Sequence, residues 1–588
     1  MFDCLEKLKA MVESKFFENW RAISSSVTLS LLLSIAALPA EVSANSKSTA
    51  DVLFVNGKIY TPQGWQSTME VKSGRVSRIG NARSGKRWKT QAKIIVDLKS
   101  KTVFPGLYDM HVHPVLQAKG GEGGCAIPQD ANATKLLELV SACVKSAQPG
   151  EWVVGGQWQS SLLAGTPITA ATLDAVSPNN PLMLFDVSGH SVWANSKALL
   201  AAGIADATPN PEGGIIERDF SGRPTGVLRE TAGRLVTMKI PRQPSERTEQ
   251  NLSRHLQTFA SFGLVGYVEA MAFEDDLEVY ARLADKGLFR HRVQACIAYS
   301  EAGQPNSALD ATLANRSQYA RPNFNVNCIK VFADGVPTES HTGAMLQPYQ
   351  GGQPNAPARG LLLFEPAQMA ENVTKWDKQG ITVMFHAAGD WAVRASLDAI
   401  EIARKTNGPG GPIHQVGHST FVDLNDLPRF KLLNTSVEFS PYLWDPQPIN
   451  DDITAAVGKP RMDRVWPIRD GFKYDALVIA GSDWAVVPSP NPWIGIETAI
   501  TRRNPGGSER SYGIAQGINL TQAIDMLTIN AAKRMGTERD AGSLAPGKFA
   551  DFMVLESNPF DLPVTDLHKV RPLETWIGGV RVFSATGK

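Results

Sequence analysis

Apolar residues gather in short runs along most of the chain, and between the runs they recur at three- and four-residue spacing. The short runs predict strands and the spaced stretches predict amphipathic helices. Eight runs are expected as strands: Thr102–Met110, Leu264–Ala270, Arg292–Tyr299, Asn325–Val331, Ile381–Phe385, Ile413–Gly417, Thr435–Phe439 and Leu477–Gly481. Helical spacing fills Glu246–Phe262, Phe273–Lys286, Pro366–Lys378 and Trp391–Lys405. Strand and helix in alternation predict an α/β fold with a parallel sheet, and an eight-stranded (β/α)8 barrel closes it most economically.

The stretch 115–250 is too long for one crossover and carries runs of its own, Trp152–Gly155 and Leu182–Val187. It is expected to form an inserted subdomain over the barrel mouth. Short strands with glycine turns at the two chain ends (Asp51–Tyr60, Val71–Ile79 and Ile94–Leu98, then Gly547–Leu555 and Thr575–Phe583) predict a composite β-sandwich beside the barrel. The expected division is 45–100 for the first part of the sandwich, 101–540 for the barrel with its insertion, and 541–588 for the second part.

Ahead of these units, the apolar run Val27–Leu38 follows Arg21 and precedes the small-residue sequence Val42-Ser43-Ala44. It fits a secretory signal over residues 1–44, cleaved after Ala44, and is too short to span a bilayer comfortably. A periplasmic or secreted protein without a membrane anchor is expected. A true start at Met11, or a cytoplasmic protein, is the alternative.

Composition narrows the partners. Fifty-nine basic residues against fifty-eight acidic leave a net charge of +1, so no global field draws nucleic acid or an anionic membrane. A small-molecule substrate is the expected partner, with a homodimer as the assembly to test. The five cysteines lie far apart without a CxxC pair, which argues against a zinc ribbon or a disulfide framework. A metal here must use other ligands.

Those ligands are visible at strand ends. Asp109-Met110-His111-Val112-His113 closes the first barrel strand, and the two-residue period puts both imidazoles on one face. His386, His418 and Asp483 each end a later apolar run, at the barrel end where active sites lie. Any one of them is ordinarily a hydrogen-bonded strand-end residue, but three beside a His-x-His point to a metal. Imidazole and carboxylate suit zinc, iron or manganese better than calcium. Lys330, alone on the apolar strand Val326–Phe332, is either a solvated strand-end charge or a functional group that tolerates burial.

The segments FPGLYDMHVH, SGHSVWANSKAL, IKVFADG, FHAAGD, GSDW, TINAAKRMG and GSLAPGKFADFMVL together resemble amidohydrolase family 3 of the amidohydrolase superfamily, the group that includes N-substituted formamide deformylases. The likeness runs from about Ala50 to Val582. It implies a barrel beside a composite sandwich, with metal ligands His111, His113, Lys330, His386, His418 and Asp483, and a Lys330 carboxylated by carbon dioxide so that it bridges two ions. One position departs from the pattern: Gly417 stands where relatives commonly have a glutamate, which leaves His414 as a rival to His418. The strand-end position favours His418.

The expected chemistry is hydrolysis of a carbon–nitrogen bond other than a peptide bond, by hydroxide on one or two divalent ions, zinc foremost. Asp483 is the expected catalytic proton carrier. His190, Trp193 and His341 are expected to line the substrate pocket. A lactone or ester hydrolase on the same metals is the nearest alternative, and a metal-free binding module a more distant one.

Overall fold

The computed structural model describes residues 50–586 apart from 121–123, 242–243, 300–306, 352–356 and 441–447, so residues 1–44, expected to be a secretory signal, lie outside the described residues. Eight parallel strands form one sheet in strictly sequential order: β1 (Leu107–Val112), β2 (Leu264–Ala272), β3 (Arg292–Ala298), β4 (Phe324–Phe332), β5 (Thr382–Ala387), β6 (His414–His418), β7 (Thr435–Phe439) and β8 (Leu477–Ala480). The barrel closes just beyond the strand ends. Val112 bridges Trp484 in parallel, the Asp483 N–H donates to the His111 carbonyl at 2.8 Å, and the His113 N–H donates to the Trp484 carbonyl at 2.6 Å. The strands are nearly continuous apolar runs because helices cover the outside while side chains fill the inside.

The predicted helices form at Ser245–Ser261, Glu274–Asp285, Pro366–Lys378 and Asp390–Asn407. Local chemistry sets their ends. Pro366 occupies a first-turn position where its missing N–H costs nothing, and the Glu365 side chain accepts from the Gln368 N–H.

The predicted first barrel strand is in fact two. Thr102–Pro105 pairs with Phe552–Leu555 and Lys58–Thr61 in the sandwich, and only Leu107–Val112 joins the barrel. The break is Gly106, where a Cβ would lie 2.2 Å from Val265 Cγ1. No side chain fits as the chain passes from one sheet to the other against β2. Similarly, Asp51–Tyr60 divides at Asn56 (φ 55°) into strands of two different sheets, and Val71–Ile79 folds back at Ser73-Gly74 into an antiparallel pair.

The sandwich draws on both chain ends. One sheet runs Arg75–Gly80, Thr68–Lys72, Ala50–Val55, Ala92–Asp97; the other runs Val580–Ser584, Pro572–Ile577, Phe552–Leu555, Thr102–Pro105, Lys58–Thr61, Gly64–Gln66. Phe54 of the first sheet meets Phe552 and Trp576 of the second edge-on, at 5.1 and 5.2 Å between ring centroids. The insertion builds a six-stranded sheet of its own, in which Val153–Trp158 and Leu182–Asp186 are neighbours.

The cysteines overturn one expectation. Cys125 is bonded to Cys143 and Cys296 to Cys328. Sequence spacing did not show this because register creates the second pair: Cys296 and Cys328 are partners across the β3–β4 ladder.

Candidate metal centre

The strand ends deliver their side chains to one buried place. His111 is fully buried at the end of β1, and the Asp109 carboxylate below it accepts from the His111 N–H at 3.2 Å and the Ser482 N–H at 2.9 Å, tying the first strand to the segment after the last. Asp483 is thereby brought within 3.2 Å of His113 Nε2 and 3.6 Å of His111 Nε2. The ligand atoms of His111, His113 and Asp483 all lie within 4.8 Å of one another. The His418 ring stands 4.5 Å from that of His111 and 4.5 Å from that of His386, while Lys330 Nζ reaches to 3.2 Å from His111 Nε2. The six residues proposed from sequence therefore converge on one buried cluster. His418 and Asp483 hold left-handed backbone, φ 61° and 60°, a conformation that non-glycine residues keep only where the surroundings fix it.

Burial sets the charges. It holds His111 and His386 well below the usual imidazole range and His418 at about 3, so all three offer neutral nitrogen lone pairs. Burial also lowers the Lys330 ammonium. For Asp483 burial acts the other way, but the hydrogen bond from His113 and the surrounding basic groups, Lys330 among them, prevail and keep the carboxyl below its ordinary value. Neutral imidazoles around an anionic carboxylate make a donor set that fits a divalent transition metal. His386 is oriented for this by Asp334, whose Oδ1 lies 3.0 Å from His386 Nδ1 and which also accepts from the N–H groups of Ala344, Ala388 and Gly389.

His414, the rival to His418, lies at the opposite end of β6. Its Nδ1 accepts from the Val383 N–H at 3.0 Å and its Nε2 lies 3.0 Å from Asp377, so it serves the strand–helix packing. The insertion does contribute His190, whose ring stands 4.8 Å from that of His386 and whose Nδ1 is 2.7 Å from Glu230 Oε2. Burial would lower this imidazole, but Glu230 raises it to about 9.

Two expected pocket residues are elsewhere. Trp193 is fully buried in the core of the inserted sheet, 6.0 Å from Trp158 and donating Nε1–H to the Thr169 carbonyl at 2.9 Å; alternation along Ser191–Ala194 turns it away from the site. His341 is buried flat against Tyr349, ring centroids 4.4 Å apart, and does not line the cavity. Conversely, Glu438 at the end of β7 was not anticipated. It is fully buried and groups with His111 and His418 as a second candidate metal-holding set. Its signal was a carboxylate in the otherwise apolar or hydroxylic strand TSVEF.

Above the cluster opens a cavity of about 50 Å³. Val336, Pro337, Ile449, Ile453, Trp466 and Val486 give it an apolar wall, and Ser188, His190, Thr338 and Thr420 supply neutral or imidazole groups. Among the described residues, no lysine or arginine lines it.

A closed (β/α)8 barrel with imidazoles, a carboxylate and a lysine converging at the C-terminal strand ends defines a metal-dependent hydrolase. The chain belongs to the amidohydrolase family, whose model matches residues 95–583. It is 25% identical over 566 residues to an N-substituted formamide deformylase of Arthrobacter pascens, covering 91% of this chain and 99% of that protein. It is 28% identical over 556 residues to Protein LONG AFTER FAR-RED 3 of Arabidopsis thaliana, covering 91% and 92%. Among solved structures, an uncharacterized metal-dependent hydrolase from Pyrococcus horikoshii shares the fold, with a TM-score of 0.68, 22% identity, and coverage of 87% of this chain and 99% of that one.

Proposed function

We propose that this protein hydrolyses carbon–nitrogen bonds of small uncharged amides, N-formyl amines foremost, with one or two zinc ions held by His111, His113, His386, His418, Asp483 and a carboxylated Lys330. The observation that carries the reading is the cluster of imidazoles and one depressed carboxylate beneath a largely apolar cavity in which, among the described residues, the one cationic lining group, His190, is already paired with Glu230. A substrate carboxylate would have to compete with Glu230 for the His190 imidazolium, whereas a neutral amide with an apolar substituent meets matching walls. The formamide deformylase relative supports the bond class.

When bound, the metal supplies Lewis acidity toward the carbonyl oxygen and lowers the pKa of water. Asp483 accepts the proton of the attacking water as the oxygen bonds to the carbonyl carbon, and returns it to the nitrogen as the carbon–nitrogen bond breaks, so the amine leaves neutral. His190 faces the cavity from the insertion and contacts the substrate, and the apolar wall excludes bulk water. The test is a panel of N-formyl amines, N-acyl amines, lactones and aryl esters assayed with zinc-loaded and chelated protein. Turnover is expected to be fastest on the N-formyl amines and to vanish on chelation; a preference for lactones or esters would replace the proposed bond class.

The burial of Lys330 supports its carboxylation. Burial lowers the Lys330 ammonium to about 8, which enlarges the share of free amine; that amine adds to the carbon of carbon dioxide and loses one proton, leaving an anionic N-carboxylate. Lys330→Ala is expected to be inactive, with activity partly restored by short carboxylic acids plus zinc. Full activity of the variant without additives would remove Lys330 from the centre.

A further inference from the structure

Glu438 makes contacts that a merely buried acid would not need. Its Oε2 lies 3.1 Å from His111 Nδ1 and accepts from the His418 N–H at 2.9 Å. Its Oε1 accepts from the Ser440 hydroxyl at 3.1 Å, and that hydroxyl oxygen lies 3.1 Å from His418 Nδ1. Glu438 and Ser440 flank Phe439, the last residue of β7, and both are fully buried.

These contacts assign protons. Burial raises the Glu438 carboxyl, but a cation held by His111 and His418 favours its ionised form, which can only accept, and His111 then carries its proton on Nδ1. Ser440 has one proton, which goes to Glu438, so its oxygen is left to accept from His418 Nδ1–H. Both rings then present an unprotonated Nε2, the form that binds a cation.

The backbone of β6 makes room for this. A Cβ at Gly417 would stand 2.8 Å from Glu438 Oε2 and 2.8 Å from the Phe385 carbonyl, with His111 Nδ1 at 3.6 Å. The space a side chain at 417 would take is occupied by the Glu438 carboxylate.

We propose that Glu438 is a positioning residue that fixes the tautomers of His111 and His418 together, one directly and one through Ser440, with residue 417 kept a glycine to admit it. The inference rests on reading His111 and His418 as metal ligands.

The experiment is zinc titration of metal-depleted full-length protein against a chelator of known affinity, on wild type, Glu438→Gln and Ser440→Ala, with circular dichroism reporting the fold. Visible absorption of the Co2+-loaded proteins reports ligand geometry. Glutamine keeps the shape, but whichever way its amide turns, one –NH2 faces a donor. Glu438→Gln is expected to weaken zinc binding about 10–100-fold and to alter the Co2+ spectrum. Ser440→Ala should weaken it less, through His418 alone, and should serve if Glu438→Gln does not fold. Glu438→Asp, which restores a carboxylate, should recover part of the affinity. Unchanged zinc affinity and spectrum in folded Glu438→Gln, or in Ser440→Ala if the glutamine variant does not fold, would overturn the inference. A wild-type protein that binds no zinc would instead overturn the metal reading beneath it.

Discussion

Asparagine in place of Asp483 is expected to leave most of the metal bound and to lower turnover by about two to four orders of magnitude. The substitution preserves size and one ligating oxygen but removes the base. Position makes the effect large: Asp483 is held by the barrel closure itself, its N–H on the His111 carbonyl and its carboxylate 3.2 Å from His113 Nε2. In the proposed reaction a group so placed would take the proton of the attacking water and pass it to the departing nitrogen. Its carboxyl lies below the ordinary value, so it is anionic through the neutral range, and activity should be lost only as pH falls through an acidic limb. That limb reports a coupled set of groups rather than one residue, and it should move or disappear in Asp483→Asn. Near-normal turnover with an unchanged profile would reduce Asp483 to a structural link and require another base.

The second large effect is expected from His111→Ala/His113→Ala, which should abolish activity and strip most of the metal while circular dichroism stays near that of the wild type. The fold should survive because the strand-end tie does not use the imidazoles: the His113 N–H donates to the Trp484 carbonyl, and the Asp483 N–H to the His111 carbonyl. Removing two imidazoles deletes ligands and leaves that ladder intact. Metal analysis decides the matter, since full occupancy in the double variant would show that the ions sit elsewhere.

The barrel was legible because parallel strands buried on both faces write themselves as apolar runs, and a polar residue ending such a run marks the mouth. That is why His386, His418 and Asp483 could be picked out beside the His-x-His pair. The break at Gly106 was signalled only by the Pro105-Gly106 pair inside the otherwise apolar run Thr102–Met110; the strand pairing and the crowding by Val265 show that two sheets share that run. Trp193 was misplaced because facing depends on where a strand pairs, not on its composition. Glu438 escaped for a related reason: a lone carboxylate in TSVEF gains meaning only when β7 is laid beside β6 and the empty side of Gly417 is seen. The cysteine pairs were hidden likewise, since ladder register joins Cys296 to Cys328.

The shared sandwich has a consequence for the order in which the molecule can be made. Thr102–Pro105 is hydrogen-bonded on one side to Lys58–Thr61 and on the other to Phe552–Leu555. During synthesis the first partner is already present, while the second emerges only after all eight barrel strands. Until then the nascent chain carries an unpaired strand edge directly upstream of β1, a surface open to wrong pairing. The smallest unit that satisfies its own hydrogen bonds is therefore almost the entire polypeptide, and the last strands to emerge are the ones that seal the first.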